Sequence, residues 1–146
     1  MKALDKFRML WLVPLFALGT VSAAAAGMRL NVDSLSADGQ EVRRLSCDME
    51  DGGLMATLTI VGTLAKQKAA LDRCAPKGAA FATKFTWKGK SASDIKVTGA
   101  ATAEQNSCVA KVLGKITPPT DGTCSVIVLV GEQKAAQAAA QALLAK

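Results

Sequence analysis

The chain lacks histidine and tyrosine entirely, and aromatic residues make up only 4% of its 146 positions. Without an imidazole, Ser-His-Asp and Cys-His nucleophile systems are excluded. Most zinc sites not built from cysteine alone go with them. The carboxylates show no pairing that marks acid/base catalysis. No catalytic residue, metal site or cofactor is therefore expected, and the chain reads as non-enzymatic. It also lacks an internal repeat and an interdomain linker, so its length allows one domain.

The apolar residues are unevenly placed. Lys2, Lys6 and Arg8 precede an apolar run from Met9 to Val21, and small residues follow through Ala26. That layout is a secretory signal peptide, with cleavage expected between Ala23 and Ala26. The rival reading is a retained anchor, which Pro14, Gly19, Thr20 and Ser22 weaken. Residues 27–146 then form one disulfide-stabilised domain with no stable membrane span. Removing Lys2, Lys6, Arg8 and Asp5 lowers the net charge from +6 to +4. A signal peptide with four cysteines points to an oxidising compartment, either a periplasm or the extracellular space.

Cys47, Cys74, Cys108 and Cys124 are separated by 27, 34 and 16 residues, unlike metal-binding or CxxC redox motifs. They read as two structural bridges, with three pairings open. Alternation predicts strands over Met28–Leu35, Glu41–Met49 and Leu54–Val61, the last two joined by a hairpin turn at Glu50–Gly53. The acidic run Asp48–Asp51 lacks the register of a calcium loop. A helix is expected over Thr63–Cys74, then strands over Ala80–Trp87 and Asp94–Thr98. Thr102 is expected to cap a helix running to Ile116, whose apolar stripe is Cys108, Val109, Val112, Leu113 and Ile116. Cys124–Val130 carries apolar residues on both parities, as expected of a central or doubly covered strand. Seven alanines between Glu132 and Lys146 predict a last helix.

Phe81, Phe85 and Trp87 share one parity of one strand. They read as core, the alternative being a platform for a sugar or peptide. The opposite parity carries Lys84 and Lys88. With Lys77, Lys90 and Lys96 these define a basic hairpin face able to meet an anionic envelope polymer. Nucleic acid is not expected as a partner.

The stretches LDRCAPKGAAFATKFTWKGKSASDIKV, NSCVAKVLGKITPP and CSVIVLV together resemble the C-terminal domain of the AgmX/PglI type. That domain is carried by myxobacterial gliding-motility proteins and is similar to the TonB C-terminal fold. The resemblance runs over roughly residues 64–131, with Cys74, Gly89, Cys108-Val109, Pro118-Pro119 and Val126–Val130 in the family's slots. It implies an αββαβ core, extended here by N-terminal strands and the alanine-rich helix. It also implies a Cys74–Cys108 bridge, leaving Cys47 to Cys124. The Pro-rich spacer of TonB-like energy transducers is absent, so what carries over is a non-catalytic interaction module.

The expectation is thus an α+β domain with a largely antiparallel sheet and two packed helices. Its expected role is to bind in the cell envelope, docking an envelope protein through a sheet edge or the basic hairpin. The alternative is a soluble carrier or inhibitor of an anionic or apolar small ligand. A pocket lined by the three aromatics would mark that alternative; a filled core there would mark docking.

Overall fold

A computed structural model describes residues 28–89, 91–99 and 102–146. The segment expected to be a signal peptide and Lys90 lie outside the described residues. In chain order the elements are β1 (Met28–Ala37), β2 (Gln40–Met49), α1 (Gly53–Lys66), α2 (Lys68–Cys74), β3 (Ala79–Lys88), β4 (Ser91–Thr98), α3 (Ala103–Leu113), β5 (Gly122–Val130) and α4 (Gln133–Leu144). The strands form one sheet in the order β1-β2-β5-β3-β4, and every neighbouring pair is antiparallel. The class is α+β, with the element order αββαβ over Lys68–Val130.

Two hairpins, β1–β2 and β3–β4, are joined in the sheet by β5, the last strand to be made. This position explains its sequence. Val126, Val128 and Val130 point into the main core, while Ile127 and Leu129 lie in a second cluster beneath α4. A strand covered on both sides must be apolar on both parities. The main core also takes Leu45, Cys47 and Met49 from β2, and Phe81, Phe85 and Trp87 from β3.

Leu54–Val61 is helical, not a strand, and it belongs to α1. Its β-branched residues favour a strand locally. The buried set, however, is Ala56, Thr57, Ile60, Val61, Leu64 and Ala65, which is the period of a helix face. Thr57, Thr59 and Thr63 turn their hydroxyls back onto the carbonyls of Gly53, Met55 and Thr59, so they fit the helix. Glu50–Gly53 accordingly leads into a helix rather than a hairpin, with Gly52 at φ 79°. The expected helix over Thr63–Cys74 is two pieces, the end of α1 and then α2, broken at Gln67. Three helices, not two, therefore belong to the main-core face.

The bridges are Cys47–Cys124 and Cys74–Cys108. Cys47 and Cys124 are directly opposite on β2 and β5, with Cα atoms 4.1 Å apart. That bond holds the register of β2 on β5 next to an irregularity between Arg43 and Ser46. Cys74–Cys108 ties α2 to α3. Two disulfides place the folded chain in an oxidising environment. No helix among the described residues is long and apolar enough to cross a membrane.

Helix α4 lies on the opposite face of the sheet. Its start is capped by the Glu132 carboxylate, which accepts from the backbone N–H of Lys134 and Ala135. Ala136 and Ala140 pack on Ala80, Ala82, Ile127 and Leu129. Gln137 donates to Glu41 at 3.1 Å, and Arg43 also pairs with Glu41. The Gln137 hydrogen bond, helped by Arg43 and Gln133, holds the Glu41 carboxyl below its ordinary range despite partial burial.

Candidate interaction surface

Helix α4 covers only part of its face of the sheet, and the remainder is open. Register defines what lies there. One row crosses all five strands as Asn31, Ser46, Ser125, Lys84 and Lys96. The next row is Arg29, Asp48, Thr123, Thr86 and Asp94. Every one of these ten side chains is exposed or half-exposed, and all are polar. Lys88, opposite Ser91, continues the same face beyond them.

The surface follows from the parity of β3. Phe81, Phe85 and Trp87 are 0–2% exposed in the main core, so Lys84, Thr86 and Lys88 must point the other way. The rings of Phe85 and Trp87 pack against each other with centroids 4.6 Å apart. Among the described residues, four surface depressions, including one at Met49–Met55 and one along α3, are lined without these aromatics. The aromatic strand thus fills the core instead of presenting a stacking platform.

Charge is concentrated at the β3–β4 end. Lys84 and Lys96 are direct cross-strand partners, a like-charge arrangement that costs stability in isolation. Lys96 is 3.7 Å from Asp94, and Arg29 is 3.5 Å from Asp48. Among the described residues Lys84 and Lys88 have no ion-pair partner. Thr86 and Thr123 share a hydrogen bond of 3.2 Å between their hydroxyls at the centre of the second row.

Of the lysines expected to form one face, the structure brings together Lys84, Lys88 and Lys96. Lys77 lies before the opposite end of β3, beside Gly78, whose backbone closely approaches Glu132 at the start of α4. Lys90 lies outside the described residues. Sequence reasoning passed over Ser46, Thr86, Thr123 and Ser125. Their strand parity was readable, but their alignment depends on β5 entering between the hairpins. The four cysteines are all consumed in the bridges. Among the described residues no group of three or more His, Cys, Asp or Glu side chains is placed to hold a metal.

Fold and surface together define a disulfide-bonded α+β protein with one filled face and one half-open, basic face. Compared with known proteins, the chain matches no family model, no curated protein and no solved structure.

Proposed function

We propose that this protein is a non-catalytic binding module of the cell envelope, periplasmic or secreted, that works by contact at the open β3–β4 end of its sheet. The observation that carries this reading is the burial of Phe81, Phe85 and Trp87 in a filled core. A carrier would need that apolar volume for its ligand. With it filled, the recognition chemistry left is on the outside, where Lys84, Lys88 and Lys96 attract an anionic partner surface. Among the described residues β4 pairs with β3 alone, so an envelope protein can also add a strand along it. The resemblance to an AgmX/PglI-type interaction domain agrees with this role, and the envelope location rests on the leader together with the bridges.

The test is in-cell crosslinking of the tagged protein, followed by fractionation and mass spectrometry. A reproducible envelope partner is expected. Recovery only as a free monomer carrying a lipid or metabolite would overturn the reading in favour of a carrier.

A further inference from the structure

We infer that the open half of the sheet binds an acidic glycan, a linear carbohydrate bearing carboxylates, laid across the strands along the two polar rows. The inference rests on the contact reading above for its surface and adds the chemistry of the partner. Three features support it.

The first is charge. Over the two rows and the Lys88 end, four basic residues (Arg29, Lys84, Lys88, Lys96) face three acidic ones (Asp48, Asp94 and Asp121, whose carboxylate accepts from the Gly89 N–H at 2.8 Å). Asp48 and Asp94 each sit beside a base, at 3.5 Å for Arg29–Asp48 and 3.7 Å for Lys96–Asp94. The surplus falls on β3 and β4, where Lys84 faces Lys96 and Lys88 follows four residues after Lys84 on the same face. A bound anion between Lys84 and Lys96 would convert their repulsion into attraction.

The second is the centre of the rows. Ser46 and Ser125 supply hydroxyls that are each both donor and acceptor, and the Thr86–Thr123 pair, joined at 3.2 Å, keeps acceptor sites and one further donor. That suits sugar hydroxyls, which are also both. A phosphate polymer is better gripped by guanidinium forks or backbone N–H groups. The face of a sheet offers no free backbone N–H, and its β3–β4 end carries lysines.

The third is extent and shape. Five strands about 4.8 Å apart give a row of roughly 19 Å, room for several sugar units, with only small side chains in the middle. Among the described residues the aromatics Phe81, Phe85 and Trp87 are on the other face, so there a neutral sugar has no ring to stack on. Affinity must come from charge and hydrogen bonds, and it should weaken with salt.

The probe is a hexamer of galacturonic acid, titrated into the purified protein at low and high salt and followed by calorimetry and amide chemical shifts. The expected result is binding at low salt that fades at high salt, with shifts at Ser46, Thr86, Thr123 and Ser125. Its fully methyl-esterified form, with the charge removed, should not bind. K84Q/K88Q should weaken binding by about tenfold or more, K84R/K88R should restore it, and K77Q should leave it unchanged. Absence of binding at low salt, or equal binding by K84Q/K88Q, overturns the inference. So does tighter binding of polyphosphate, or of polyglutamate with shifts confined to β4 amides. In that last case the contact reading survives and its partner is a protein. A crosslinking experiment that returns only ligand-loaded monomer removes the contact reading itself, so the two failures are separable.

Discussion

Gly131 closes the turn between β5 and α4 at φ 78°, and a Cβ there would lie 2.0 Å from the Ala75 carbonyl oxygen. Its N–H donates to Asp72 at 2.8 Å. Both the backbone conformation and the close approach demand glycine. Gly131→Ala should cost about 1–3 kcal/mol, read as a lower urea midpoint with an unchanged slope. Phe81, fully buried among the apolar residues of β5 and the helices, is a different case. Phe81→Ala removes core volume and should cost about 3–5 kcal/mol. Were Phe81 the lining of a ligand site, its truncation would be nearly neutral for folding. The stability measurement therefore also bears on the choice between core and pocket.

Helix α4 is the element whose attachment responds to pH. Its contact with the sheet is made by alanines, by Leu143 and Leu144, and by Gln137 on Glu41. The Glu41 carboxyl is held below its ordinary value near 4.5. A lowered folded value means the charged form is favoured by folding. Its stabilisation is complete above the unfolded value and is lost as pH falls through the folded one. Amides of Ala136 and Ala140 should therefore exchange faster below about pH 4.5. Glu41→Gln should remove most of that pH dependence; an unchanged profile in that variant would assign the effect elsewhere. The elements differ in how far they could be read in advance. Strand β5 was legible because its double coverage is written in both parities, and α3 because its cap and stripe agree. Helix α1 was not, because Thr57, Thr59, Ile60, Val61 and Thr63 prefer extended backbone locally, and only packing selects the helix. The lysines of β3 could be placed on one face from parity alone. The five-strand rows could not, since they require strand order and register.

Across the whole molecule, β5 holds two hairpins that otherwise do not pair with each other. Cys47–Cys124 closes a span of 77 residues and Cys74–Cys108 one of 34. The loop-entropy model gives about 4.5 and about 4 kcal/mol for them, large fractions of a typical stability of about 5–15 kcal/mol. The Cys47→Ala/Cys124→Ala variant should unfold at markedly lower urea, and loss of both bridges should abolish folding at physiological temperature. Similar midpoints with and without the bridges would contradict this account. A frame braced in this way keeps one face of the sheet rigid and half bare, which is what a contact surface requires. The most direct test is site-specific photo-crosslinking in cells, with the photoreactive side chain at Asp94 on the open face or at Lys77 beyond the far end of β3. A specific adduct at Asp94 and none at Lys77 is the predicted result. No adduct at Asp94, or equal adducts at both positions, would contradict a binding role for the β3–β4 end.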